Sequence, residues 1–442
     1  MQTVAKAVAA LDGGGKSRAL IEEALARIND KSGEGARTFL KVRAEHALAA
    51  ADFYDRLRAS GAAPSRFAGV PVSLKDLFDI RGDVTTAGSV ALRDAPPANR
   101  DAPAVARLRA AGFVPIGRTN MTEFAFSGIG INPHYGTPAS PCDRPAARIP
   151  GGSSSGAAVS VAAIGTDTGG SCRIPAAFCG VVGFKPTAAR VPTQGAFPLS
   201  TTLDSVGPLA ATVACCAMLD CVLAAEPAMD LPSFPLEALR MAVPQTTVLD
   251  NLEPAVAQAF DRALSQLREK GARIVDIPLR ELDELRAINA KGGIVTAESY
   301  ALHRSLIAKA EKMYDPRVLT RILRGREQNA ADYIDLLNAR ADFTRRVRAI
   351  MAPYDALAMP TVPILAPRIA ELEPEDAFRR INVLVLRNPS IANFIDGCAI
   401  SIPCHCPGDA PVGLMLFGDH GTDRRLLSIA AAVEKVVSPG AI

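Results

Sequence analysis

Apolar residues recur every three or four positions in some stretches of this chain and alternate in others. The two periods predict where helices and strands fall. In residues 17–30, Leu20, Ile21, Ala24, Leu25 and Ile28 share one face while Glu22, Glu23 and Arg27 lie elsewhere, which predicts an amphipathic helix. Residues 41–61 predict another, closed by Gly61. Val70, Val72 and Leu74 then alternate with Pro71, Ser73 and Lys75. This predicts a strand with Ser73 and Lys75 on a common face. A helix over 103–112, with Asp101 as its N-cap, leads into a short strand over 113–117.

Further on, residues 156–163 predict a helix of small side chains and 164–168 a strand; 175–179 is expected to open another helix. Helices over 213–225 and 253–270 alternate with strands over 239–244 and 274–277. A charge-laced helical stretch fills 295–350. Strands over 356–362, 399–403 and 413–417 precede a last helix over 423–437. Helices alternating with apolar strands predict an α/β sheet covered on both faces. No repeat or low-complexity tract breaks the pattern.

A length of 442 residues is enough for a large core. A net charge of +3 excludes a broad nucleic-acid or membrane footprint. The N-terminal apolar run is broken by Lys6 and ends at Asp12, so no secretory leader is expected. No uninterrupted apolar stretch is long enough to span a bilayer. The nine cysteines are odd in number and scattered through apolar segments. They are expected as free thiols in a reducing compartment, hence a cytoplasmic location. Cys404-His405-Cys406 lacks the spacing of a zinc site. Gly13-Gly14-Gly15-Lys16-Ser17 is no phosphate loop, because Ala10 stands where the first glycine belongs and no strand precedes it. The triplet is expected to separate two helices.

The chemistry concentrates in residues 150–175, PGGSSSGAAVSVAAIGTDTGGSCRIP. Two Gly-Gly-Ser turns, Gly151-Gly152-Ser153 and Gly169-Gly170-Ser171, bracket the small-residue helix and its strand. A Gly-Gly pair lets the backbone turn sharply and present bare N–H groups to a ligand. A serine beside such a row could attack a carbonyl whose oxyanion those groups stabilise. A serine nucleophile needs a base. The five histidines, at 46, 134, 303, 405 and 420, all lie outside this stretch. There is no Ser-x-x-Lys anywhere. Lysine remains. Lys75, in an apolar strand where burial would lower its pKa, is the first candidate and Lys185 the second. A second serine could relay the proton.

The segments GVPVSLKDLFD around Lys75, GRTNMTEFAFSG from Gly117, NPHYGTPASP from Asn132, PGGSSSG from Pro150, GTDTGGSCRIPAAFCGVVGFKPT from Gly165, LDSVGPLA from Leu203 and PVGLMLFG from Pro411 resemble the amidase signature family. The resemblance runs from about residue 17 to the end and is weakest between 225 and 345. It implies one amidase domain over 1–442. Within it, 1–60 would be an N-terminal helical segment and 61–225 the signature core; 226–350 would be a variable helical region and 351–442 the strands and helix that complete the core. The implied fold class is α/β, a single large domain with a central mixed twisted sheet covered by helices on both faces.

The implied activity is hydrolysis of the C–N bond of a small amide through a Ser-Ser-Lys triad and an acyl-enzyme. Ser171 matches the nucleophile and Lys75 the base. Ser153 matches the bridging serine, which in the family follows a cis peptide bond. The N–H groups of Thr168, Gly169, Gly170 and Ser171 match the oxyanion hole. Met121, Phe124 and Phe126 match the substrate-pocket wall, and are core residues otherwise. Arg173 is expected to pair with a carboxylate or, as a minority reading, to reach an acidic group of the substrate. No metal or cofactor is implied. The implied partner is a small-molecule amide, with neither nucleic acid nor membrane, and a homodimer is the one assembly suggested. Two other readings are the glutaminase (A) subunit of a tRNA-dependent amidotransferase and a catalytically inactive family member.

Family members carry several more residues between the two serines. A helix ending near Ala163 cannot reverse into a strand at Ile164 with no connection. Either the helix is cut short and Ser153 is displaced, or a turn is missing from the sequence; the second is the expectation here.

Overall fold

In the computed structural model, which describes residues 3–160, 162–227 and 230–438, the strands form one mixed sheet. They are β1 (Phe39–Val42), β2 (Pro71–Lys75), β3 (Val114–Thr119), β4 (Ala163–Asp167), β5 (Val182–Lys185), β6 (Ser205–Ala210), β7 (Arg240–Pro244), β8 (Arg273–Ile277), β9 (Ala356–Pro360), β10 (Cys398–Pro403) and β11 (Gly413–Gly418). Their spatial order is β1-β3-β2-β4-β6-β5-β10-β11-β9-β7-β8. β2 lies parallel to both β3 and β4, and β7 parallel to both β8 and β9; the other pairs are antiparallel.

Alternation along the central strands divides the apolar side chains between two cores. Leu414 and Leu416 of β11 pack in the core that holds Leu426, Leu427 and Val433 of the Asp423–Val437 helix. Met415 and Phe417 enter another, with Phe343 and Val347 of the Ala330–Met351 helix. Each large side chain fully buried in this way contributes roughly 1.5–3 kcal/mol. The sheet is therefore covered on both faces, as the sequence predicts.

Most predicted elements form within a few residues of their expected limits. The helix expected to open at 175–179 instead ends there: it spans Arg173–Cys179 and is closed by Gly180 at φ 66°. Asp101 is not an N-cap. Ala102 holds that position, and the Asp101 carboxylate accepts from Arg81 N–H and pairs with Arg109. β6 has no counterpart in the sequence reading, because Gly207 and Pro208 look like a turn. Gly207 is needed in the strand: a Cβ there would stand 2.1 Å from the Phe184 carbonyl oxygen.

The small-residue helix spans Ser155–Ser160, shorter than expected, and its residues 155–158 are buried. A Cβ on Gly156 would lie 2.4 Å from the Thr38 carbonyl oxygen, so only glycine permits this approach. The connection to β4, where a missing turn is expected, includes Val161, which lies outside the described residues. Ala162, at φ 58°, leads into the strand. The helix is cut short, yet Ser153 is not displaced from Lys75.

Candidate active site

β2 and the Ser155–Ser160 helix hold the first part of the site. The predicted common face of Ser73 and Lys75 is turned toward this helix. Ser73 Oγ lies 2.8 Å from Ser160 Oγ at the helix C-terminal end. Beyond its N-terminal end, Lys75 Nζ donates to Ser153 Oγ at 2.7 Å. A second Lys75 bond runs to Thr166 Oγ1 of β4 at 2.9 Å. The Gly152–Ser153 peptide bond is cis, as the resemblance implies. Thr122 N–H donates to the Ser153 carbonyl oxygen at 3.1 Å.

Lys75 is fully enclosed. Burial pushes its amine down to about 8, against the opposing pull of Cys172, Asp204 and Asp167. The segment that follows is clamped by a buried ion pair, Arg118 Nε to Asp76 Oδ1 at 2.5 Å. Lys185, the second base candidate, is also buried, and burial lowers its amine. Its Nζ donates to the carbonyl oxygens of Pro186 and Gly397, each at 2.8 Å. That anchors β5 to the turn before β10.

Asp167, the last residue of β4, organises the second Gly-Gly-Ser turn. Its Oδ1 accepts Gly170 N–H at 2.8 Å and its Oδ2 accepts Cys172 N–H at 3.0 Å. Burial alone would raise this carboxyl, but the Arg173 guanidinium and the Cys172 N–H outweigh it and hold the group far below the usual carboxylate range. Gly170 sits at φ 129°, and a Cβ there would stand 2.6 Å from Pro389 Cβ. Glycine is thus required twice, for the dihedral and for the approach. Ser171 is 4% exposed. Ser154 N–H donates to the Ser171 carbonyl oxygen at 3.3 Å, which ties the two serine turns together.

One expectation is corrected here, while the leading reading of Arg173, a pairing with a carboxylate, holds through Asp167. The Gly170 N–H is committed to Asp167, so the bare row is Thr168, Gly169 and Ser171, whose N–H groups have no protein acceptor among the described residues. Arg173 does not face a substrate. It is fully enclosed, and its donors go to Asp167, to Pro389 O at 2.8 Å and to Asn393 Oδ1 at 2.7 Å. Met121 and Phe124 lie in the main core. The Phe124 ring packs against Phe197, His303 and Tyr314, with centroids 4.4–5.3 Å away.

Ser154 Oγ and Ser155 Oγ donate to the Thr166 and Asn120 carbonyl oxygens, as structural partners. Thr166 and Asp204 were missed by the sequence reading. Asp204 belongs to the quoted LDSVGPLA segment, and a carboxylate there was the available signal. A cavity of about 550 Å³ lies behind β2, lined by Thr38, Ser73, Val159, Ser160 and Ala162 among others. Lys75, Ser153 and Ser171 are not among the residues that line it. Among the described residues no cluster of three or more His, Cys, Asp or Glu could hold a metal ion, and no helix is long and apolar enough to cross a membrane.

Asp167→Asn should leave the Arg173 charge buried beside a neutral amide. We expect a loss of about 3–5 kcal/mol in denaturant unfolding. Unchanged stability would mean that Pro389 and Asn393 suffice to hold Arg173.

The family model described as Amidase matches residues 19–427. The 2-amino-5-chloromuconic acid deaminase of Comamonas testosteroni is 34% identical over 416 residues, covering 91% of this chain and 88% of the relative. The glutamyl-tRNA(Gln) amidotransferase A subunit of Chloroflexus aggregans is 34% identical over 461 residues, covering 94% and 92%. A solved structure described as that of an amidase superposes with a TM-score of 0.88 at 30% identity, over 99% of this chain and 100% of the other. The native peptide amidase of Stenotrophomonas maltophilia gives 0.79 at 27% identity, over 99% and 97%.

Proposed function

We propose that this chain, which belongs to the amidase family, cleaves a small linear amide through a Lys75–Ser153–Ser171 proton relay and an acyl-enzyme on Ser171. The observation that carries the reading is the 2.7 Å contact between a desolvated amine and Ser153. A neutral amine has N–H groups for Thr166 Oγ1 and one lone pair. That lone pair takes the Ser153 proton while Ser153 takes the proton of Ser171. Ser171 Oγ bonds to the substrate carbonyl carbon, and the N–H groups of Thr168, Gly169 and Ser171 stabilise the negative charge on its oxygen. The same relay returns the proton to the leaving nitrogen as the C–N bond breaks. Water then attacks the acyl carbon as the relay takes one of its protons, and that proton passes back through Ser153 to Ser171 Oγ as the C–O bond to Ser171 breaks. Buried free thiols favour a cytoplasmic setting.

The test is a panel of aryl and alkyl amides, urea-like compounds, amino-acid amides and 2-aminomuconic acids, with ammonia or amine release as the readout. At least one compound should be turned over by the chain alone. A second reading is favoured by the amidotransferase relatives: a glutaminase that delivers ammonia to a partner. Glutamine hydrolysis that appears only with an added partner protein would replace the first reading with this one.

A further inference from the structure

The helical region between β8 and β9 has no part in the relay, yet one of its side chains is joined to the candidate oxyanion hole. Glu298 lies in the Gly293–Ala310 helix and is 9% exposed. Its Oε2 accepts Ser200 Oγ–H and, at 3.1 Å, Thr202 N–H. Its Oε1 accepts Thr202 Oγ1–H and, at 2.7 Å, the hydroxyl of Tyr333 from the Ala330–Met351 helix. Both oxygens are thus fully used, and all but one of these donors come from the loop before β6.

That loop ends on Asp204. Its Oδ2 accepts Leu199 N–H at 3.0 Å and Ser200 N–H at 3.2 Å, and its own N–H donates to Ser200 O at 3.0 Å. The other oxygen, Oδ1, accepts Thr168 Oγ1–H. A continuous path therefore runs from Tyr333 through Glu298, Ser200 and Asp204 to Thr168. Burial pushes the Asp204 carboxyl up to about 6, so this link is itself held in a desolvated setting.

We propose that Glu298 is a positioning residue for the oxyanion hole: through Ser200 and Asp204 it fixes Thr168, whose N–H receives the developing negative charge. The proposal rests on the amide-cleavage reading above. Its physical basis is that preorganised donors work only when held in place, and a displacement of about 1 Å can cost on the order of a hundredfold. Removing Glu298 would leave Ser200 Oγ, Thr202 N–H and Tyr333 OH without their acceptor. The 199–204 loop would then relax, and Asp204 with it.

The test reads the rate at which a fluorophosphonate labels Ser171, together with kcat and KM on the best amide of the panel. Glu298→Ala should slow labelling and kcat about tenfold with KM within about twofold. Glu298→Gln, which keeps one acceptor oxygen, should recover part of the rate. Tyr333→Phe, which removes a single donor and leaves Glu298 in place, should cost about two- to threefold, and it carries the test if Glu298→Ala does not fold. Adding Glu298→Ala to Thr168→Val should slow the enzyme little further, because both break one path. Wild-type labelling rates in Glu298→Ala, or losses that multiply in the double variant, would overturn the positioning role alone. A wild-type enzyme that is not labelled at all would remove the amide-cleavage reading beneath it.

Discussion

Ser171→Ala is expected to abolish amide cleavage, with kcat/KM falling by about 10⁴-fold or more and fluorophosphonate labelling lost entirely. The size follows from what is removed. Without Ser171 Oγ no acyl-enzyme can form, and only binding and the oxyanion donors remain to help water attack; in serine hydrolases that residue of catalysis sits several orders of magnitude below the intact enzyme. The fold should be indifferent to the change. Ser171 Oγ makes no hydrogen bond among the described residues, so the alanine removes no partner. Thermal unfolding within a degree or two of wild type, together with lost activity, is the predicted pair of results. Retained turnover would mean that another group attacks the carbonyl. Ser153 and Ser154, the hydroxyls of the first turn, would then need to be tested one after the other.

Lys75→Ala should lower kcat by about 10³-fold near neutral pH, within the range that a positioned general base supplies. Lys75→Arg should do little better, because a guanidinium keeps its proton across the accessible range. The wild-type pH profile gives the sign. Burial lowers the amine from its ordinary value to about 8. The relay needs the neutral form, so below that value kcat/KM should fall about tenfold per pH unit, and above it the profile should level off. The unshifted value for lysine, near about 10.4, would put the same limb more than two units higher. A limb near 10 would mean that the amine is hydrated in solution; activity that survives Lys75→Ala near neutral pH would place the base elsewhere, with Lys185 the next to examine.

Much of this site was legible before any coordinates. The alternation of Val70, Val72 and Leu74 put Ser73 and Lys75 on one face, and that face meets the Ser155–Ser160 helix. The pairing itself was not legible from periodicity. Lys75 and Ser153 are 78 positions apart, and a strand pattern specifies a face without naming what lies across it. The resemblance supplied the partner. Arg173 shows the opposite limit. Pairing with a carboxylate was the leading expectation for this residue, two positions after Ser171, and it holds, but the sequence names neither the carboxylate nor the burial that rules out the minority reading of a substrate contact. Here Asp167, six positions earlier, claims the guanidinium and enforces the turn.

Asp167 also takes up one N–H of the row that the resemblance implies. The resemblance names four successive backbone N–H groups, and only the three-dimensional turn shows that the carboxylate has taken Gly170's. β6 was missed for a reason of chemistry. Proline is normally confined to strand edges and glycine weakens strand interiors, yet here both sit in a central strand, where the Phe184 carbonyl leaves no room for a Cβ at Gly207. Met121 and Phe124 were open to two readings in the sequence, and packing against Phe197, His303 and Tyr314 favours the core one for Phe124.

The most direct measurement is the rate of Ser171 acylation across about pH 6–10 in wild type and Ser153→Ala. If protons pass from Ser171 to Lys75 through Ser153, the variant should acylate about 10²–10³-fold more slowly and lose the limb near 8. A Ser153→Ala enzyme that keeps both the rate and the limb would contradict the relay, because Lys75 would then be reaching Ser171 by a route that bypasses the serine it touches.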